Sequence, residues 1–248
     1  MQKIILSEGC DLTRILKIEK YEPVLPAQLV GKIKGQFPQF LIKSDQKNVQ
    51  TYPDVLKEIQ GKKIFVTIKM DGTSVTYYDK PDLVDCGKDE FGVCSRNLDL
   101  KPDDTIYWQM AAKYDIQRKL KEFAPWYAIQ GECYGPGIQD NRMGAKEHLF
   151  AGYDVLDIRN RRYVGYEEYC EIMTRLNIPM VPLVFIGECP WTTYDEVMAF
   201  ADQQMYGKDL PAEGVVIKTC DEQYSEVLEG RLSFKAISRV FKLKYPRA

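Results

Sequence analysis

The chain has 248 residues, 45% of them hydrophobic and 12% aromatic, enough to bury a sizeable core as one large domain or two small ones. Lys+Arg at 34 against Asp+Glu at 36 leave a net charge of −2, so a polyanion must be met by a local basic face and not by overall charge. Seven cysteines, odd in number and never spaced as CxxC, speak against a disulfide framework and a zinc site, and the single histidine, His148, leaves little scope for Ser-His-Asp, Cys-His or multi-histidine chemistry.

From Met1 to Gln50 the chain spreads Pro and Gly through "YEPVLPAQLVGKIKGQFPQF" and is expected to be an irregular segment wrapping the surface of a domain that spans 1–248. Its first twenty residues are too charged for a signal peptide, and no run reaches membrane-spanning length, so an intracellular, reducing location is expected. Strand candidates follow at "KIFVTI" and "TSVTYY", which flank Lys69-Met-Asp-Gly and read as a β-hairpin, then at "WYAIQGE", "FAGYDVLDI", "MVPLVFI", "GVVIK" and "RVFKLKY". Helical spacing runs through "DDTIYWQMAAKYDIQRKLKEF", with Ile106, Met110, Tyr114, Gln117 and Leu120 near one face, and through "YEEYCEIMTRLN". "TTYDEVMAFADQQM" adds a capping-box pattern, Thr193 three residues before Glu196. Strands in runs with helices interposed irregularly give an α+β fold of mostly antiparallel sheets with flanking helices.

A lysine at the end of a β-run has its amine projected from a fixed point, as a nucleophile requires, although an exposed lysine beside an Asp-Gly turn is the commoner arrangement. Attack on a nucleotide phosphate needs metal-held phosphates, cations around the transition state and a slot for the base. The sequence offers each. Asp71, Glu132 after "IQG", and Glu213 before "GVVIK" supply three carboxylates for a divalent cation or its waters. Lys218, Lys235, Lys242 and Lys244 supply positive charge in a stretch that carries six Lys/Arg and no acid from Arg231 onward, and Tyr153 offers a ring to a purine.

In order, "KMDGTS", "SRNLDL", "GECYGPGIQDNR", "FAGYDV", "EGVVIK" and "RLSFKAISRVFKLK" resemble the ordered motifs of the covalent nucleotidyltransferases, the superfamily of polynucleotide ligases and mRNA capping enzymes. Within it they are most similar to the ATP-dependent RNA ligases of the Deinococcus and Naegleria type, over nearly the whole chain. The resemblance implies a nucleotidyltransferase (ATP-grasp-like) domain in which Lys69 attacks the α-phosphate of ATP, expels pyrophosphate and holds AMP through a phosphoramide bond. Asp71, Glu132 and Glu213 would orient Mg2+ or Mn2+ through its waters, and Arg96 would contact the ribose or the strand-end phosphate. Tyr153 would stack on adenine, while Lys218 and Lys235 would bind the α-phosphate, with Lys242 or Lys244 as a further contact. Ile68, just before the first of these motifs, and Val215, within the fifth, would help line the nucleotide site. AMP would then pass to a 5′-phosphate and the end be joined to a 3′-hydroxyl, at nicks in RNA or RNA/DNA duplexes with RNA on the 3′-hydroxyl side.

Ligases of this type also carry an OB-fold domain before the motifs, and Lys69 lies too near the start of this sequence to leave room for one. An isolated, monomeric catalytic domain is expected. A capping guanylyltransferase or a DNA ligase would share the lysine chemistry, and a non-catalytic nucleic-acid-binding module would share only the fold. No GxxxxGK[ST] occurs to support a P-loop enzyme.

Overall fold

In the computed structural model, which describes residues 31–80 and 90–246, the strands numbered in chain order fall into two main sheets. The larger runs β1 (Ile33–Gln36), β6 (Leu98–Leu100), β5 (Glu90–Ser95), β4 (Thr73–Lys80), β7 (Tyr127–Tyr134), β8 (Leu149–Asp157), β9 (Arg162–Tyr163). The smaller runs β10 (Leu183–Glu188), β3 (Lys63–Ile68), β13 (Gly214–Thr219), β16 (Ser233–Ile237), β2 (Lys47–Asn48). Two short pairs complete the set, β11 (Met205–Gly207) with β12 (Leu210–Pro211) and β14 (Tyr224–Ser225) with β15 (Gly230–Arg231). In the two main sheets only β16 and β2 pair in parallel among the described residues; the rest is antiparallel, and the fold is α+β.

Period-two alternation decides what each sheet shows to each side. On the larger sheet Val75, Tyr77, Ile129 and Val155 enter a core covered by the helices Ile106–Lys113, Ile116–Phe123 and Tyr166–Arg175. On the smaller sheet Ile64, Val66, Val215, Ile217, Phe234 and Ala236 pack beneath the helices Val55–Ile59 and Tyr194–Asp202. The intervening residues of both sheets line one cavity: Ser74, Thr76, Gln130 and Glu132 from the larger, Thr67, Val216, Lys218, Lys235 and Ile237 from the smaller.

Three sequence expectations change in the fold. "KIFVTI" and "TSVTYY" do not form a hairpin: β3 pairs with β10 and β13, β4 with β5 and β7, and Lys69–Gly72 carries the chain from one sheet to the other. "RVFKLKY" is not a strand but the helix Arg239–Lys244, because the Ser238 hydroxyl caps it by accepting from the Phe241 amide and helical spacing brings Phe241 and Tyr245 together, ring centroids 5.0 Å apart. The expected single helix over 103–123 breaks at Asp115, whose left-handed φ of 52° ends one helix and lets the next bury Ile116 and Leu120. The capping box at Thr193 and Glu196 forms as read.

Residues 33–248 group as one unit, apart from 1–32. The expected irregular segment 1–50 lies outside the described residues as far as residue 30. Beyond it, residues 33–50 do more than wrap a surface: they give β1 and β2 to the two sheets and bury Leu41 and Val49.

Candidate active site

The Lys69–Gly72 crossover ends at the mouth of the cavity between the sheets, a space of about 420 Å³. Lys69 is fixed at its backbone on both sides. Its amide donates to the Gly214 carbonyl at 2.9 Å, and its carbonyl accepts from the Tyr206 hydroxyl at 2.6 Å. Its Nζ lies 2.6 Å from Oε2 of Glu213. Two glycines make this closeness possible. A Cβ on Gly72 would lie 2.3 Å from the Cys133 carbonyl oxygen, and one on Gly214, at φ 150°, would lie 2.0 Å from that of Ala236.

Asp71 enters the cavity wall as an ion pair with Arg142 at 3.0 Å, both side chains less than a tenth exposed. Arg142 arrives there because Gln139, Asp140 and Asn141 all take left-handed backbone, folding the loop after β7 back on itself; its guanidinium then faces the rings of Phe241 and Tyr245. Glu132 projects from β7 between these groups. Burial pushes its carboxyl up to about 8, opposed by the charge of Lys69 and reinforced by those of Glu213 and Asp71.

On the facing sheet Lys218 is buried, its amine donating to the Tyr153 carbonyl at 2.7 Å and to Asp154 at 2.8 Å. Asp154 also accepts from Arg231, which pairs with Glu222. Lys235, half-buried, has its amine held below the ordinary lysine range by burial and by the charge of Lys69. The Tyr153 hydroxyl is held by Ser44 and Ser74 at 3.1 and 2.9 Å, with its ring on the cavity wall.

Of the residues expected from sequence, Ile68, Lys69, Asp71, Arg96, Glu132, Tyr153, Glu213, Lys218, Lys235 and Lys242 line this one cavity. Arg96 is exposed at its rim, bonded to Asp45, and Lys242 is bonded to Gln50. Two are placed elsewhere. Val215 is fully buried on the core face of β13, one residue out of phase with Val216, which lines the cavity; Lys244 turns away to the Asp209 carbonyl. Arg142, Phe37 and the residues from Lys43 to Gln46 were not expected there, nor was the bond from Tyr206, outside the cavity, to the Lys69 carbonyl. The bend needed by "GPGIQDNR" was the only signal for Arg142, and nothing local marks Tyr206.

Among the described residues no group of three or more His, Cys, Asp or Glu side chains is arranged to hold a metal ion directly. The donor set fits a hydrated cation instead. Burial and the charges of Glu213 and Asp71 hold the Glu132 carboxyl up to about 8, so it keeps its proton near neutral pH; a hydrated divalent ion among the three acids would relieve that repulsion and let it ionise.

Comparison with known proteins agrees with the geometry. A family model described as RNA ligase matches residues 62–243. Among solved structures, the Naegleria gruberi RNA ligase with pyrophosphate is 32% identical, with a TM-score of 0.77 over 97% of this chain and 68% of that one. A lysine-to-methionine variant of that ligase with AMP and Mn gives the same values, and a lysine-to-alanine variant with ATP and Mn differs only in covering 96% of this chain. No curated protein matches the sequence significantly. A match over most of its length, and solved structures about one-third identical that share its fold, establish that the chain belongs to the RNA ligase family.

Proposed function

We propose that this chain is an ATP-dependent RNA ligase of the Naegleria and Deinococcus type, acting through a covalent AMP adduct on Lys69. The observation that carries the reading is the position of Lys69 at the crossover between two sheets, its amine 2.6 Å from Glu213 and facing a cavity lined by Glu132, Asp71, Lys218 and Lys235. In the first step the deprotonated Nζ attacks the α-phosphorus of ATP: the N–P bond forms, the bond to the bridging oxygen breaks, and pyrophosphate leaves. Glu213 orients the amine. Lys235 and Lys218 face the α-phosphate, and Tyr153 stacks on adenine.

Asp71, Glu132 and Glu213 would hold Mg2+ or Mn2+ through its waters, and the ion supplies charge neutralisation on the phosphates. In the later steps AMP passes from Lys69 to a 5′-phosphate, and a 3′-hydroxyl then displaces AMP to join the strands. Arg96, exposed and bonded to Asp45 at the rim, would meet the strand end. The substrate is a nicked RNA or RNA/DNA duplex with RNA on the 3′-hydroxyl side. The protein acts as an intracellular monomer.

The test is intact-mass analysis after incubation with ATP and Mg2+, with Lys69→Ala and a GTP reaction alongside. One AMP added from ATP and none in the variant supports the reading. A GMP adduct instead would make the chain a capping-type guanylyltransferase, and no adduct from folded, initially unmodified protein would leave a binding module. Nicked duplexes with RNA or DNA at the 3′-hydroxyl then separate an RNA ligase from a DNA ligase.

A further inference from the structure

Tyr206 stands outside the cavity and touches none of the space a nucleotide would fill. It lies on β11, its ring packed against the small apolar cluster of Ile68, Met70 and Ala212. Its hydroxyl does two things at once. It donates to the carbonyl of Lys69 at 2.6 Å and accepts from the backbone amide of Glu213 at 3.1 Å.

This single oxygen therefore ties the backbone of the nucleophile to the backbone of the acid that meets its amine. The Lys69 amide is already bound to the Gly214 carbonyl, so with Tyr206 both polar backbone groups of Lys69 are anchored to one stretch, 205–214. Without the hydroxyl, the Lys69–Met70 peptide plane loses its restraint at the point where the chain crosses between sheets. The Lys69–Glu213 pair is then free to reorient. In-line displacement at phosphorus is sensitive to such displacement, since misplacing a reacting atom by about 1 Å can cost a factor of about 100.

We propose that Tyr206 is a positioning residue for adenylylation of Lys69, holding the nucleophile and Glu213 in register from outside the nucleotide cavity. The inference rests on the reading of Lys69 as the residue that takes AMP.

The test is Tyr206→Phe, which keeps the ring and removes only the hydroxyl. In single-turnover reactions with ATP and Mg2+, the rate of adduct formation at saturating ATP is expected to fall roughly ten-fold, the loss of about one hydrogen bond's worth of transition-state stabilisation. The ATP concentration for half-maximal rate should stay within about two-fold, because Tyr206 does not line the cavity. Discharge of the purified adduct by pyrophosphate passes through the same transition state and should slow by the same factor. A melting curve for the variant, run in parallel, fixes a temperature at which it is fully folded. A merely structural role predicts a lower melting temperature with unchanged forward and reverse rates at that temperature, and would overturn the inference, as would a change confined to the ATP dependence. Absence of any adduct in the unsubstituted protein would instead sink the reading of Lys69 itself; an adduct made by both proteins at equal rates sinks only the role of Tyr206.

Discussion

Lys69 and Glu213 are 144 residues apart in the chain, yet Nζ of one lies 2.6 Å from Oε2 of the other. Their side chains remain about a quarter and a fifth exposed to the cavity, so the pair orients the amine while leaving it accessible. Glu213→Gln keeps the shape and a hydrogen-bond acceptor but removes the charge. Adduct formation from ATP is expected to slow by at least ~10-fold, because a charge-assisted contact to the nucleophile and one of three acids facing the cavity are lost together. Thermal stability should change by less than about 1 kcal/mol, the ordinary scale of a partly exposed ion pair. A variant that forms the adduct at the original rate would remove Glu213 from the chemistry.

Arg142 is the counter-charge for Asp71. With both side chains less than a tenth exposed, Arg142→Ala would leave a carboxylate without its partner and strip the cation from between Phe241 and Tyr245. The expected loss is about 3 kcal/mol in denaturant unfolding, the low end for breaking a buried pair because the site borders a cavity that admits water. Arg142→Ala combined with Asp71→Asn should recover part of that loss. A double variant as unstable as the sum of the two single ones would show that the residues are not coupled.

Gly72 carries a prediction of a different kind, since no side chain fits there. A Cβ would stand 2.3 Å from the Cys133 carbonyl oxygen and 2.8 Å from Cγ of Glu132, so Gly72→Ala must move β4 away from β7 or displace Glu132. A cost of about 1–3 kcal/mol is expected from such overpacking. Adduct formation should fall even at temperatures where the variant is folded, because Asp71 and Glu132 sit on either side of the clash. Unchanged rates with unchanged melting would contradict the tight approach of the two strands.

The chemistry-bearing residues were legible where the sequence set them in a local pattern. Lys69 ends an apolar run, Glu132 follows a strand with a glycine, and Glu213 precedes one. Lys218 and Lys235, named by the resemblance, both line the cavity, from β13 and β16. Val215, named with its motif, is one residue out: the pleat of β13 turns it into the core and Val216 to the cavity, and "GVVIK" alone does not say which of two adjacent valines faces which way. The hairpin reading of 63–78 failed for a tertiary reason: strand propensity and an Asp-Gly pair are identical whether the chain turns back or crosses to a second sheet. The C-terminal helix was missed because "RVFKLK" alternates enough to pass for a strand, and the Ser238 cap that starts it is a local bond with no strong sequence signature. Arg142 and Tyr206 were hard to read because the contacts that bring them to the site, to Asp71 and to the Lys69 carbonyl, span 71 and 137 residues of chain.

Asp154 gives the pH dependence a defined sign. Burial by itself would raise its carboxyl, but the charges of Arg231 and Lys218, each 2.8 Å away, outweigh that and hold it below its ordinary 3.8. A carboxyl whose value is lower in the folded chain than in the unfolded one adds stability above the unfolded value and loses it as pH falls through the folded one. Asp154→Asn removes this contribution and leaves two buried cations without their shared partner, at an expected cost of roughly 3–5 kcal/mol near neutral pH. The gap between variant and unsubstituted protein should narrow only below pH 3.8, as Asp154 itself takes up a proton. Melting temperatures of both proteins at pH 7, pH 5 and the lowest pH at which they stay folded measure it. A gap that is constant from neutral to acid would mean that the Asp154 charge is not what holds Arg231 and Lys218 in place. Because Lys218 forms part of the cavity wall, the same substitution should also weaken ATP use at neutral pH, read as a rise in the ATP concentration needed for half-maximal adduct formation.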